Sequence, residues 1–279
     1  MKTDRKDRLW LIVWISGLFL LWLWDSAFLN GPALSRLETA FLHSMVTGIL
    51  VVALSLVLGW TTGVALYFVE RRKPLSLLLT FLLDVIRSVP QIIGILIGYV
   101  ILTFLLEEGI LQNTWGQIAW IAAVIALFIF PELTDLIRER IRYFERMDFV
   151  SAMLCCGASE ARVINFEILW KNSRSHLLHK LISLFGVALF LQCSIDFIVS
   201  VGLSLDVSLI NFPATLGNQL ATMDSKQDIL AIGTFLSSYA DARSLFFEHL
   251  QGLSIAFVIV FTLLCFYQMS NAYLRRHRL

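Results

Sequence analysis

Apolar positions in this chain run together instead of alternating. Continuous apolar stretches occupy residues 9–29, 44–69, 77–106, 115–131, 180–204 and 252–270. Most are about 20 residues long, enough for a helix to cross a hydrocarbon core roughly 30 Å thick. A lipid-exposed barrel strand would alternate at every second residue, so the pattern predicts helices. The third stretch is long and carries Asp84, Arg87 and Pro90, which predicts an amphipathic, interfacial first half and a crossing that begins near Pro90. The fourth is short, with Trp115 and Trp120 at its outer boundary. The expected fold is an all-α integral membrane domain of about six transmembrane helices spanning residues 1–279.

Composition sharpens this reading. Hydrophobic residues make up 58% of the 279 and charged residues 15%, with a mean hydropathy of +0.77, whereas soluble domains carry about 25% charged residues. The net charge of +1 is uninformative, but its distribution is not. Lys2, Arg5, Lys6 and Arg8 precede the first stretch, Arg71, Arg72 and Lys73 follow the second, and Arg275, Arg276 and Arg278 close the chain. The segment Glu107 to Thr114 has no Lys or Arg, and Leu205 to Leu250 holds only Lys226 and Arg243. Six spans with both termini cytoplasmic place every basic loop inside. The first stretch reads as a retained span, not a cleaved signal sequence: it is long, flanked by Trp10 and Trp24, and lacks a small-residue cleavage site. The four cysteines form no disulfide framework, and Cys155 and Cys156 read as small buried side chains.

The predicted cytoplasmic loop Glu132 to Lys180 is longer than a connection requires. Alternating charges over Leu136 to Arg146 extend the fourth helix past the membrane. A second helix then stops at Gly157 in a left-handed cap, and Ser159 opens a third as its N-cap. Together these predict a compact knuckle.

The residues Phe149-Val150-Ser151-Ala152-Met153, Gly157-Ala158-Ser159, Arg162, Val163-Ile164 and Ile168-Leu169 resemble the EAA loop of ABC-transporter permeases. They are most similar to the C-type permease of dipeptide, oligopeptide and nickel importers. Leu83-Asp84, Ser88 and Pro90, then Gly202-Leu203, then Pro213, Leu216-Gly217-Asn218 continue the likeness in the family's order. The family usually has Glu at the place of Ser151, Ala at Met153 and Pro-Asn at Trp170-Lys171, so this is a divergent likeness. It implies a binding-protein-dependent importer of type I, in the cell inner membrane, for peptides or a related small solute such as nickel. It also implies a coupling helix in which Ala152, Gly157, Ala158, Ser159, Glu160, Arg162 and Ile164 dock a cytoplasmic ATPase. Further partners would be a second, different permease subunit and an extracytoplasmic solute-binding protein. ATP and magnesium would belong to the ATPase, because this chain has no G-x-x-x-x-G-K-[ST] loop and no Gly-Lys pair. No catalytic residue, bound cofactor or nucleic-acid partner is expected here.

Intramembrane polar residues are the candidates for lining a path. Asp84, Arg87 and Gln91 stand at helical spacing, so they share one face, and Asp84 can pair with Arg87. Gln192 and Asp196 share a face of the fifth span, which lines the path or a subunit interface, or holds the bundle together by interhelical hydrogen bonds. His176 and His179 have no acidic or thiol ligand at suitable spacing, so no metal site is expected. The acidic outer loop 205–250, with a helical pattern over Gln227 to Ala240, suits contact with a binding protein or a lid. Two other function classes stay open. A secondary transporter would show broken helices and polar groups near the midplane. A membrane scaffold would keep the permease shape without transport.

Overall fold

A computed structural model describes residues 6–29, 31–70, 73–203, 212–222 and 250–276. The basic positions Lys2, Arg5, Arg71, Arg72 and Arg278, and nearly all of the outer loop with its 227–240 pattern, lie outside the described residues. Among the described residues the chain is all-helical: α1 (Lys6–Phe28), α2 (Gly31–Val69), α3 (Lys73–Ser88), α4 (Gln91–Glu107), α5 (Thr114–Glu145), α6 (Asp148–Cys155), α7 (Glu160–Arg162) continuing as a π-helix (Val163–Asn172), α8 (Arg174–Leu203), α9 (Leu216–Thr222) and α10 (Leu250–Arg276). Among the described residues five helices are long and apolar enough to cross a membrane, or six if the bent pair α3 and α4 forms one span.

The bend comes where proline dictates it. The Pro90 ring disfavours helical geometry at Val89, so α3 ends at Ser88 and α4 leaves at 90° to it. Of the α3 residues only Leu83 is buried, while Leu77, Phe81 and Val85 are exposed, as befits a helix lying along an interface. The bend also corrects one expectation. Asp84 and Arg87 belong to α3 and Gln91 to α4, so the three do not share a face. Arg87 sits 3.9 Å from Asp84 but 2.5 Å from Asp135 of α5. A second correction is the start of α2 at Gly31, well before residue 44. Arg36, Glu38 and His43 interrupt the hydropathy without interrupting the helix, and Glu38 accepts a hydrogen bond from Trp22 Nε1 on α1 at 2.8 Å.

The core lies where α5 is wrapped by α2, α4 and α8. Ile118, Ile121, Ile125, Ile129, Leu133, Ile137 and Ile141 of α5 are all buried, a helical stripe that continues beyond the apolar run. Close approach between α2 and α5 depends on a small-residue stripe, the usual device where lipid supplies no hydrophobic drive between helices. A Cβ on Gly59 would stand 3.0 Å from Leu133, and one on Gly63 would stand 2.7 Å from Ile137 Cγ2. Beside them, the Thr62 and Thr134 hydroxyls hydrogen-bond at 2.8 Å. Gly63→Leu is therefore expected to destabilise the bundle by about 1–3 kcal/mol through overpacking. Thermal unfolding of the detergent-solubilised chain measures this, and an unchanged midpoint would show that the α2–α5 seam is looser than described. The remaining helices pair separately: α1 packs mainly on α10, and α10 on α8.

Candidate functional site

Two places combine polar chemistry with unusual backbone. The first is the knuckle after α5. In α6, the Gly157 amide bonds the Leu154 carbonyl at 3.0 Å and the Ala158 amide bonds the Met153 carbonyl at 3.1 Å. This paired closure of a helix end requires a residue in the left-handed region, and Gly157 occupies it with φ +85°. Met153 and Ala158, on either side of the turn, each pack against the main core. Ser159 stands at the start of α7 with extended backbone, but its hydroxyl makes no cap bond, so the turn rests on Gly157.

The chain then continues as a π-helix, closed by the Ser173 amide on the Ile168 carbonyl at 2.9 Å. Segments of this kind are rare and cluster at functional sites. One face of it, Val163, Ile164, Ile168 and Leu169, is buried in the main core. Ile164, expected among the docking residues, is 2% exposed. Its side chain is taken up in the main core and is not part of the exposed surface of the knuckle. Ala152, Gly157, Ser159 and Arg162 are exposed, while Ala158 and Glu160 are half-buried. The cysteine expectation is also corrected: Cys155 and Cys156 are exposed, because α6 turns Phe149, Val150 and Met153 toward the core instead.

The outer face carries large apolar side chains that were not singled out in the sequence: Leu154, Phe166 and Trp170, the last 61% exposed. Phe166 and Trp170 stand out of phase with Ile164 and Ile168, and that phase was the available signal. Two bonds from α2 hold the knuckle in place. Trp60 Nε1 donates to Asn165 Oδ1 at 2.8 Å. The Tyr67 hydroxyl lies 3.1 Å from Glu160 Oε1 and 3.0 Å from Glu145 Oε1, so its one hydrogen serves both carboxylates. His176 and His179 go separate ways: Arg140 Nη2 lies 3.1 Å from His176 Nδ1, and His179 Nδ1 meets Ser270.

The second place is a buried polar seam between α4, α8 and α9. Asp196 of α8 accepts hydrogen bonds from the Tyr99 hydroxyl of α4 and from Thr215 Oγ1, the latter at 2.7 Å. All three residues are buried. Thr215 also accepts from the Asn218 amide at 3.3 Å, so the same hydroxyl caps α9. Ser44 Oγ accepts from the Leu216 amide at 3.0 Å, which ties α9 to α2. The stretch Pro213 to Asn218 thus folds back into the helix bundle, and Gly217 lets it approach α8: a Cβ there would fall 2.4 Å from the Cys193 carbonyl oxygen.

Of the residues expected to line a path, Asp196 has both carboxylate oxygens engaged within the chain. Gln192, one turn earlier, is buried with neither amide atom hydrogen-bonded among the described residues. Gln91 is half-buried and reaches the Phe128 carbonyl only at 3.5 Å. The seam therefore joins three helices through one carboxylate and leaves one amide available beside it. Comparison with models of known protein families and with curated protein sequences finds no match to this chain.

Proposed function

We propose that this chain is the membrane-spanning permease subunit of an ATP-driven importer, moving a peptide or related small solute and driven by a separate ATPase. The observation that carries the reading is the knuckle, residues 148–172. Its inner face is fixed in the helical core, while its outer face exposes Leu154, Phe166 and Trp170 beside Arg162. Exposed apolar side chains on a rigid, polar-rimmed projection are what a docking partner covers. In this reading the ATPase closes around ATP, displaces the knuckle, and shifts the helices between inward-open and outward-open arrangements. A second permease subunit completes the path, and a solute-binding protein delivers cargo at the opposite face.

The test is co-purification from detergent-solubilised membranes. The native chain is expected to bring down an ATP-binding subunit and a second membrane subunit. A Phe166→Asp, Trp170→Asp variant, altered only at exposed positions, is expected to lose the ATP-binding subunit by at least about tenfold while retaining the other, as for removal of interface anchors. Equal recovery with both chains removes the knuckle from the docking surface. If the native chain recovers no ATP-binding subunit at all, the importer reading fails. A secondary transporter then moves ahead, supported by the α3–α4 break and the Asp196 seam.

A further inference from the structure

Between α8 and α10 lies a groove of about 430 Å³. Its wall runs from His179 to Phe190 on α8 and from Leu263 to Asn271 on α10, one face of each helix. Gly186 sits midway along the α8 wall, and a Cβ added there would meet nothing within 4 Å. The groove is polar at one end and apolar at the other. His179, Ser183, Tyr267 and Asn271 gather toward the start of α8 and the end of α10, and each keeps accessible surface, Tyr267 being 65% exposed. Ser270 holds His179 in the wall, with its carbonyl 3.0 Å and its hydroxyl 2.9 Å from Nδ1. Phe190 and Leu263 form the apolar end. Among the described residues no Asp or Glu lines the groove, and nearby Glu132 is already paired with Lys180 at 2.7 Å. Arg174 opens α8, and Arg275 and Arg276 close α10, so positive charge collects at the polar end.

Length selects the occupant. The α8 wall is about 16 Å long at about 1.5 Å per residue, half of a hydrocarbon core of roughly 30 Å. Both helices are long and apolar enough to cross a membrane. Beyond Phe190 and Leu263 the same faces continue to Cys193 and Ile259, which pack in one cluster with Leu216 and Leu220 of α9. The chain thus fills this crevice itself along one half and leaves it open along the other. A transmembrane helix of another subunit would need the whole length, whereas a phospholipid needs one leaflet, with its headgroup where the wall is polar and its tail where the wall is apolar. A wall without acids and a basic polar end suit an anionic headgroup. We propose that this groove binds an anionic phospholipid of the phosphatidylglycerol class. The Asn271 amide and the Tyr267 and Ser183 hydroxyls offer hydrogens to its phosphate and ester oxygens, and an acyl chain passes over Gly186 toward Phe190 and Leu263. The site is independent of the importer reading and needs only a membrane-embedded chain.

Native mass spectrometry of the full-length chain, released from detergent and titrated with phosphatidylglycerol or phosphatidylcholine of identical acyl chains, tests this. Phosphatidylglycerol is expected to bind about tenfold more tightly, the factor that one charge-assisted hydrogen bond supplies. Gly186→Leu fills the groove without meeting another part of the chain. It is expected to weaken both lipids by about tenfold while leaving the thermal midpoint in lipid-free detergent no lower. Asn271→Asp puts a negative charge at the polar end and is expected to abolish the preference while sparing phosphatidylcholine binding; it carries the test if Gly186→Leu proves polydisperse. Equal affinity of the native chain for the two lipids overturns the proposal, as does phosphatidylglycerol binding that survives Gly186→Leu or a preference that survives Asn271→Asp. If Gly186→Leu instead leaves lipid binding intact and loses a co-purifying membrane subunit, the groove seats that subunit and not a lipid.

Discussion

Gly217→Ala is expected to unseat α9 from the bundle. The added Cβ would stand 2.4 Å from the Cys193 carbonyl oxygen, 2.8 Å from Cys193 Cα and 2.9 Å from Asp196 Cβ. Two of these atoms are backbone of a long helix and cannot rotate aside, so relief must come from movement of α9 itself. The cost belongs at or above the top of the about 1–3 kcal/mol range for overpacking. Movement of α9 also strips the Thr215 bond from Asp196 and uncovers Cys193, which is buried in the native arrangement. Maleimide labelling of Cys193, with Cys155, Cys156 and Cys265 replaced by serine, is expected to rise several-fold with a lowered thermal midpoint. Unchanged labelling and midpoint together would falsify the close seating of α9.

Asp196→Ala is the second large effect, for a different reason. It leaves the Tyr99 and Thr215 hydroxyls buried without their acceptor, each at a cost of about 1–3 kcal/mol. Asp196→Asn retains an acceptor oxygen and the shape of the carboxylate, so its loss is expected to be well under half as large. Tyr99→Phe removes one donor cleanly, and adding it to Asp196→Ala should restore part of the lost stability by removing one orphan. Thr215→Val is a poor choice for that purpose, because it also removes the cap of α9. Equal thermal losses for Asn and Ala at position 196 would mean that side-chain volume, not hydrogen bonding, holds the seam.

Hydropathy alone marked where the long apolar helices fall, because a continuous apolar run has few alternative uses in a helical protein. Pro90 announced the break, the alternating charges at 136–146 announced the extension of α5, and Gly157 announced the left-handed cap. These features are local, since each depends on residues adjacent in sequence. What was not legible depends on distant partners. Asp25 looks like one acid near the end of an apolar run, and only Ser254 across the bundle shows that it is buried. Ile164 fits an outward docking helix equally well until α5 is packed against it. Cys155 and Cys156 resemble small core residues in composition, yet α6 meets the core through Phe149, Val150 and Met153 and leaves both thiols outside. The start of α2 was missed because Arg36 and Glu38 suggest a loop, while a neighbouring helix supplies Trp22 as a partner. The π-helix had no sequence signal that was used; its Val163, Ile164, Ile168 and Leu169 all enter the main core.

The paired attachment of the knuckle to α2 has a mechanical consequence. Trp60 and Tyr67 are about two helical turns apart, close to 10 Å along the axis, and each grips a different part of the knuckle, at Asn165 and Glu160. A lever bolted at one point swivels, whereas one bolted at two carries its load into the shaft. Because α2 is seated against α5 along the Gly59 and Gly63 stripe, a push on the knuckle is delivered to α2 and α5 as a single beam. The pair α1 and α10, which packs chiefly within itself and against α8, stands outside that beam.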